Sequence, residues 1–507
     1  MSSLAEPGEV VDAAKGGHPK GLYALFFTEM WERFSFYGMR ALLVLYLTKA
    51  LDLTRADALG VYAVYTGLVY LTPLIGGRLA DRYLGQRKAV FIGGILMAIG
   101  QFALTQRGLL DLGLGLLIVG NGFFKPNIST MVGTLYDEHD HRRDGAYTIF
   151  YMGINLGAFL APLVCGPLGE RIGWGFGFAA AGIGMTLGIL TFVFTQRLLL
   201  GGGLPPGRPA TPDAVLDARD WLEIALGVVL GVGVVALALQ AWPYVRPLWS
   251  PSWLPGALTV LYKGAILIGV LVAFLYATEP PKSAKAADEA HRPLTFEDWQ
   301  RIAVILIVSL FSVVFWMGFE QSGGTLNLFA DAKTNRVIFG YDIPASIFQA
   351  INPVFIILLA PVFATLWTYL AARRFPLPSV AKQGLGLVML AVAFGVMSFA
   401  DAGSKAGKVS PLWLVAVYFL FTVAELFVSP IGLSLVNKLA PARLASLMMA
   451  VWFLCTALAN YLAGIMEHTI EPYHLNLWAF LGGCALVPGL LLLALTPVLV
   501  KMSHGRM

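Results

Sequence analysis

The chain has 507 residues, of which 57% are hydrophobic and only 13% are charged. Soluble domains carry about 25% charged residues, so this composition excludes an ordinary soluble protein and indicates an all-α polytopic membrane protein. The net charge of +5 does not indicate a nucleic-acid partner, because the basic residues are scattered through short loops, where they act as topology signals.

Segments that are apolar and long enough to cross a bilayer recur along the chain, fourteen in all. The first six lie near 22–50, 57–80, 88–106, 109–134, 145–167 and 173–198. Two follow near 220–241 and 254–277, and the last six lie near 300–330, 343–372, 378–401, 410–437, 440–467 and 474–500. This order predicts an N-terminal six-helix bundle in 1–200, two additional transmembrane helices with their linkers in 201–298, and a C-terminal six-helix bundle in 299–507.

The basic residues of the loops predict the orientation in the membrane. Lys and Arg are more numerous in the loops on the side of both termini, for example at Arg142 and Arg143, than on the other side. We therefore expect both termini and both linkers in the cytoplasm. The first 20 residues are polar and show no removable signal peptide.

The helix near 22–50 carries four charged residues in its apolar sequence, Glu29, Glu32, Arg33 and Arg40. At 100° per residue they share one arc of about 100°. A charge at the centre of a membrane helix costs about 2.5–3.5 kcal/mol, so this face should line a polar pathway. Alternatively, the charges pair within the helix, as the spacing of Glu29 and Arg33 allows. Arg40 has no acid nearby in sequence and is expected to find one across the bundle.

The sequence predicts neither a metal site nor an enzyme active site. The three cysteines (Cys165, Cys455 and Cys484) lie inside apolar segments without paired spacing, so we expect no disulfide framework. All histidines fall in predicted loops, tails or helix ends, which leaves proton chemistry within the membrane to carboxylates. No nucleophile has a base at suitable spacing, which argues against an integral-membrane enzyme, and we expect no cofactor.

The two predicted bundles are weakly similar to each other. Trp31 to Arg33 resembles Phe319 to Gln321, and each run lies in the first helix of its bundle. Internal repeats of this kind place a binding site between two halves that rock against each other. The pattern therefore favours a transporter.

Several motifs, in order along the chain, resemble one transporter family. The loop from Gly76 to Lys88 is similar to the cytoplasmic signature of the major facilitator superfamily. Glu29-x-x-Glu32-Arg33-Phe34 resembles the E-x-x-E-R-F motif of the proton-coupled oligopeptide transporter (POT) family, and Phe150 to Gly157 resembles its second signature. Further runs similar to family elements are Gly120 to Asn127, Phe319 to Ser322, Asn352-Pro353 and Glu425 to Pro430.

The resemblance implies the major facilitator fold and proton-coupled symport of di- and tripeptides into the cell by alternating access. It implies peptides, protons and membrane lipids as partners, no nucleic acid, a monomer, and a bacterial inner (plasma) membrane location. The alternative is a proton-linked carrier of another small anionic or zwitterionic solute, either nitrate-like or a peptide-mimetic drug. The sequence departs from the family at Phe36, where most members carry tyrosine, and has no histidine in its second helix.

The resemblance and the intramembrane charges together indicate the site residues. For proton coupling they indicate Glu29, Glu32, Arg33, Lys125 and Glu320. For substrate binding they indicate Arg33, Tyr37, Arg40, Tyr70, Lys125, Asn155, Trp316, Asn352, Glu425, Ser429 and Trp452. Arg55 and Asp331, at the outer ends of their helices, are expected to form an outer gate.

The charges also predict how peptide and proton are held. The peptide carboxylate is expected to meet the cations of the N-terminal half, which are Arg33, Arg40 and Lys125. The amino group is expected to meet Glu425, with the amides of Asn155 and Asn352 assisting. The intramembrane carboxylates outnumber the cations by one, so one bound proton neutralises the loaded site. We expect that proton on the Glu29 and Glu32 pair, which should titrate as a coupled unit.

Lys125 lies in the middle of a helix next to Pro126 and requires an acidic partner. The candidates are the Glu29 and Glu32 pair and Glu425. A lysine that switches between them would couple protonation of one half to closure of the other. The alternative is a fixed structural ion pair. For Asn155 and Asn352, the alternative to substrate binding is hydrogen bonding between helices.

Overall fold

The computed structural model describes residues 17–137, 140, 142–206, 211, 214–249, 294–373, 377–428, 432–441 and 444–506. Sixteen α-helices occupy most of this part of the chain. They are α1 Lys20–Lys49, α2 Arg55–Leu71, α3 Pro73–Leu79, α4 Gln86–Ala103, α5 Leu110–Gly133, α6 Arg142–Pro167, α7 Trp174–Thr195, α8 Ala218–Trp249, α9 Phe296–Phe319, α10 Thr325–Lys333, α11 Ile351–Ala372, α12 Ser379–Gly403, α13 Leu412–Val428, α14 Gly432–Leu439, α15 Ala445–Ile470 and α16 Leu477–Met502. A short antiparallel hairpin pairs β1 (Val337–Ile338) with β2 (Tyr341–Asp342).

The predicted all-α membrane fold is confirmed. Ten helices among the described residues are long and apolar enough to cross a membrane. Helices coincide with every predicted segment except 254–277, which lies outside the described residues. The number of fourteen transmembrane helices therefore stays a prediction, as does the division into 1–200, 201–298 and 299–507.

Three predicted segments contain two helices instead of one. The segment near 57–80 divides before Pro73, which lacks the N–H group that a continuing helix uses. The segment near 300–330 divides at the 3₁₀ turn Glu320–Ser322, which is followed by two glycines, and glycine is a poor helix former. The segment near 410–437 contains α13 and α14, and the residues between them lie outside the described part.

The first additional helix, α8, is attached to the N-terminal bundle by charged side chains. Lys88, at the start of α4, lies 2.5 Å from Glu223 and 3.4 Å from Asp220 of α8. The neighbouring Arg87 is fully buried and donates to two backbone oxygens of the linker before α8, one of them Gly202 at 2.7 Å. These contacts hold α8 against α4.

Glycines bring helices into backbone contact at two places that position the site. A Cβ atom on Gly157 of α6 would overlap the backbone oxygen of Met30 in α1. Gly153, one turn earlier, leaves similarly little room, since its Cβ atom would lie 2.9 Å from the Phe26 ring of α1, so α6 and α1 pack closely at both glycines. Between the two bundles, a Cβ atom on Gly464 of α15 would overlap Ala63 of α2, so these two helices pack with no side chain between them.

Polar contacts between the two bundles concentrate at one end of the molecule. The hydrogen bonds and ion pairs that join a described residue of one bundle to a described residue of the other lie at mid-height or at this end. We call it the gate end and define it by residues 49–55, 331–346 and 467–473. Under the predicted orientation, it is the outer end.

Candidate substrate and proton site

A central cavity of about 130 Å³ lies between the two bundles. The predicted site residues that line it are Tyr37, Arg40, Tyr70, Asn155, Trp316, Glu320, Asn352 and Glu425. The lining residues that were not predicted are Tyr151, Ile154, Ala158, Phe319, Ser322, Gln349, Pro353, Ile356 and Tyr418. Charged groups therefore alternate with aromatic and aliphatic surfaces, a lining that suits a small ligand with charged ends and a variable body.

Arg40 joins the two halves at the wall of the central cavity. Its Nη2 lies 2.5 Å from Glu320 Oε2 and 3.3 Å from Ser322 Oγ, and its Nε donates to the Tyr62 hydroxyl at 2.8 Å. Arg40 and Glu320 are only 7% and 5% exposed, so water screens the pair weakly. The expectation that Arg40 finds its acid across the bundle is confirmed.

Glu29, Glu32 and Arg33 form a separate buried charge cluster in α1. Arg33 Nε lies 3.1 Å from Glu29 Oε1, and the guanidinium also donates to both oxygens of Glu32. All three side chains are at most 2% exposed, and none of them lines the central cavity. Pairing within the helix therefore occurs for these three residues but not for Arg40. Glu29 Oε2 has no hydrogen-bond partner among the described residues.

Lys125 lies between the buried charge cluster and the central cavity. Its Nζ is 5.8 Å from the centre of the Tyr70 ring, and Tyr70 lines the cavity. Glu29 and Glu32 interact with the lysine electrostatically. No described carboxylate approaches Lys125 within 4 Å, so the structure does not show the fixed ion pair that was the alternative interpretation.

Glu425 faces the cavity from the C-terminal half. Its Oε2 accepts a hydrogen bond of 3.0 Å from Asn352 Nδ2, which also lies 3.0 Å from Thr422 Oγ1. Asn352 thus makes the bond between α11 and α13 that was the alternative to substrate binding, while its side chain also lines the cavity. Ser429, the predicted neighbour of Glu425, lies outside the described residues.

Two other predicted residues have environments that the sequence did not indicate. Trp452 is 9% exposed, belongs to the hydrophobic core and does not line the central cavity, which corrects its prediction as a wall residue. A large aromatic side chain stabilises a helix bundle most by packing, and this one packs. Asn155 does line the cavity, but its Nδ2 donates to the Tyr151 backbone oxygen of its own helix at 3.0 Å.

The two predicted gate residues, Arg55 and Asp331, do not pair with each other, because each has another partner, and their gating role stays a prediction. Arg55 forms two hydrogen bonds with Glu467, at 2.6 and 3.0 Å, and Asp331 lies 2.6 Å from Lys49. The reason is helix packing, since α2 lies along α15 and α10 lies against α1. Both ion pairs still join the two bundles at the gate end.

A further contact at the gate end was not predicted. Glu170, in the π-helical turn Leu168–Ile172 after α6, accepts hydrogen bonds from the backbone N–H groups of Ala345 (3.1 Å) and Ser346 (3.0 Å). It also accepts from the Ser346 hydroxyl at 2.6 Å. A carboxylate of one bundle thus caps the 3₁₀ turn Ala345–Ala350 that precedes α11 in the other bundle.

The chemistry of this site consists of ion pairs and hydrogen bonds. Within the described part of the chain, no group of three His, Cys, Asp or Glu side chains is arranged to hold a metal ion. The three cysteines are free thiols. What the arrangement can do is bind opposite charges in one cavity and keep a buried carboxylate pair beside it.

Comparison with known proteins agrees with this arrangement. A family model described as the POT family matches residues 87–201 and 282–476. The chain is 36% identical to the uncharacterized transporter YclF of Bacillus subtilis, over 96% of each chain, and 35% identical to a di-/tripeptide transporter of Lactococcus lactis, over 97% and 98%. Its fold matches a crystal structure of a peptide transporter POT in complex with sulfate (TM-score 0.77, 36% identity, 96% of each chain). It also matches a POT family transporter in complex with 5-aminolevulinic acid (TM-score 0.77, 29% identity, 96% and 98%).

Proposed function

Because the chain belongs to the POT family, we propose that it carries di- and tripeptides into a bacterial cell in symport with protons, by alternating access between its two six-helix bundles. The observation that carries this proposal is a cavity between the bundles whose wall holds both a cation, Arg40, and an anion, Glu425. Every di- or tripeptide has a carboxylate at one end and an amino group at the other, whereas its side chains vary. A wall of this kind binds the ends and tolerates the variation.

Arg40 is the cavity residue suited to the peptide carboxylate. In the present state its guanidinium is bonded to Glu320 at 2.5 Å, so an arriving carboxylate would compete with Glu320 for the same donor. That competition links substrate binding to the contact that joins the two halves at mid-height. At the other end of the peptide, the amino group would meet Glu425, which Asn352 already holds in place.

The proton belongs, in this proposal, to the Glu29 and Glu32 pair. The intramembrane charges comprise four carboxylates and three cations, namely Glu29, Glu32, Glu320 and Glu425 against Arg33, Arg40 and Lys125. A zwitterionic peptide adds no net charge, so one proton makes the loaded site neutral, and moving a neutral site through the membrane avoids the cost of a buried charge. Support comes from Glu29 Oε2, which has no described partner.

Arg33 and Lys125 then act in coupling rather than in direct contact with the peptide. Neither residue lines the central cavity, although both lie beside the carboxylate pair. Lys125 is placed to pass a change of charge from that pair to Tyr70 in the cavity wall. We place both termini in the cytoplasm and regard the protein as a monomer.

The test is uptake of a labelled dipeptide into liposomes that hold the purified protein, with an inward proton gradient and an inside-negative potential. A potential of 100 mV is worth about 2.3 kcal/mol per charge, so coupled transport should concentrate the peptide well beyond equilibration. A proton ionophore should abolish accumulation. Glu29→Gln and Glu32→Gln should also abolish it, whereas Glu471→Gln, an exposed control, should not. Full proton-driven accumulation in both cluster variants would contradict the assignment of the proton.

A second candidate function is proton-linked transport of another small anionic or zwitterionic solute. The structural relative in complex with 5-aminolevulinic acid favours it, because that complex places a molecule other than a peptide in a protein of this fold. Competition decides between the two functions. Unlabelled dipeptides should reduce uptake of the labelled dipeptide, and nitrate should not. A labelled dipeptide that does not enter at all would leave the second candidate.

A further inference from the structure

One short stretch of the C-terminal bundle runs from the gate end to the wall of the central cavity. We call it the gate-to-cavity segment and define it by residues 345–356. It begins with the 3₁₀ turn that Glu170 caps and continues without a break into α11, because Ile351 already has helical backbone angles. Gln349 of the turn and Asn352 of α11 line the cavity. A shift at the start of this segment is therefore passed on to the cavity wall.

The geometry of the 3₁₀ turn places the capped residue and a cavity residue on the same face. A 3₁₀ helix has three residues per turn, so side chains three residues apart lie above each other. Ser346 donates to Glu170 from both its backbone N–H and its hydroxyl. It precedes Gln349 by three residues and Asn352 by six, a distance of about 11 Å along the helix axis. The cap therefore lies in line with the two amides of the cavity wall.

The N-terminal bundle holds the start of this segment at several points. Glu170 accepts its three hydrogen bonds there, and the neighbouring Arg171 donates to the backbone oxygen of Asp342. A Cβ atom on Gly166 of α6 would overlap the hydroxyl oxygen of Ser346, which is fully buried. The segment therefore cannot shift along α6 without losing bonds to a charged carboxylate.

At its other end, the segment holds the anion of the cavity wall. Asn352 Nδ2 donates to Glu425 Oε2 at 3.0 Å and lies 3.0 Å from Thr422 Oγ1. Glu425 is 8% exposed, so this bond helps to fix the direction of its carboxylate. The segment thus connects a carboxylate at the gate end with a carboxylate at the cavity, through hydrogen bonds at both of its ends.

We propose that Glu170 is a positioning residue for peptide binding. By capping the gate-to-cavity segment, it places Asn352, and with it the Glu425 carboxylate, where the amino group of the peptide meets them. Glu170 and the segment belong to different bundles, so the cap exists only while the gate end is closed. Peptide binding and closure of the gate end therefore stabilise each other. This role rests on the proposed function.

Two variants weaken the cap, and one control weakens the gate end elsewhere. Glu170→Gln keeps the shape of the side chain but loses its charge and one acceptor oxygen. Ser346→Ala removes only the hydroxyl bond and leaves the two backbone N–H bonds. The control Arg55→Gln breaks the ion pair with Glu467, which joins the same two bundles without touching the segment. A general loosening of the gate end would act in all three variants, whereas loss of positioning acts only in the first two.

The first measurement is amide hydrogen exchange of the full transporter without peptide. Glu170→Gln should speed exchange in residues 345–356 about fivefold, which corresponds to the loss of one helix cap. Ser346→Ala should have a smaller effect, and Arg55→Gln should leave this exchange within about twofold of the parent. Parental exchange in Glu170→Gln would overturn the positioning role, and so would equally fast exchange in Glu170→Gln and Arg55→Gln.

The second measurement is the dissociation constant of a dipeptide for the purified transporter, in a double-mutant cycle with Asn352→Ala. In the parent, Glu170→Gln should raise the dissociation constant about fivefold. In the Asn352→Ala background it should raise it less than about twofold, because the residue through which Glu170 acts is already absent. The same rise in both backgrounds would refute the connection through Asn352. A parent that binds no dipeptide would contradict the proposed function, while the exchange measurement would still decide whether Glu170 positions the segment.

Discussion

Replacing Glu320 with glutamine should weaken closure of the gate end. In the structure, the Glu320 carboxylate is 5% exposed and bonded at 2.5 Å to Arg40 of the other bundle. Glutamine keeps the shape and one acceptor oxygen, but it leaves the buried guanidinium without a counter-charge. The substitution therefore isolates the contribution of charge to the contact between the halves.

The size of this effect follows from the other bonds of Arg40. A hydrogen bond to a charged group contributes about 1.5–3 kcal/mol and a neutral one about 0.5–1.5 kcal/mol. Tyr62 and Ser322 still accept from the guanidinium. We expect a net loss of about 1–2 kcal/mol, which changes the ratio of closed to open gate roughly 5- to 30-fold.

Spin labels across the gate end measure this ratio. Asp111 at the start of α5 and Leu412 at the start of α13 are exposed and lie in different bundles, and cysteines can be placed there once the native cysteines are replaced by alanine. Glu320→Gln should add a population at longer distance, and the control Glu471→Gln should not. The same distance distribution in the parent, the variant and the control would refute the idea that this ion pair holds the gate.

Three further predictions concern the contacts between the bundles. The partly exposed ion pair of Arg55 with Glu467 should stabilise the closed gate by only about 0.2–1 kcal/mol. Arg55→Gln should therefore change the ratio of closed to open gate, measured with the same spin labels, less than about fivefold. A larger change would show that the pair is more than a surface contact. Glu170→Gln should destabilise the closed gate by about 1 kcal/mol through loss of the cap, and an unchanged distribution would exclude that role. Gly464→Leu should destabilise the folded protein by about 1–3 kcal/mol, because the new side chain overlaps Ala63. Its melting temperature and its dipeptide uptake should therefore both fall. Its control is Gly395→Leu, where a Cβ atom meets nothing within 4 Å, and equal behaviour of both leucine variants would contradict the packing argument.

The sequence predicts the helices and the need of Arg40 for an acid because both have local causes. A run of apolar residues must form a helix in lipid whatever its neighbours are, since its backbone groups have no other partners. A guanidinium in such a helix needs a counter-charge in any arrangement of the bundle. The cavity residues Tyr37, Trp316 and Glu425 were predicted with the help of a resemblance, and their roles stay predictions.

The gate pairs could not be predicted because they depend on which helices are neighbours. Arg55 begins α2 and Asp331 lies near the end of α10, both on the expected outer side. The sequence does not show that α15 brings Glu467 close to Arg55, or that α1 brings Lys49 close to Asp331. The hairpin was missed for another reason. Strands of two residues show no alternation, and its turn has positive φ angles at Phe339 (50°) and Gly340 (83°), where a phenylalanine gives no turn signal.

The close contact of Gly464 with Ala63 can serve as a pivot point for rotation of one bundle against the other. Because no side chain separates α2 from α15 there, the helices can tilt about this point without first unpacking a layer of side chains. Arg55 lies eight residues from Ala63, or about 12 Å along α2. A tilt of about 15° would therefore move the Arg55 guanidinium by about 3 Å, which is enough to part it from Glu467, while the opposite ends of the same helices swing toward each other.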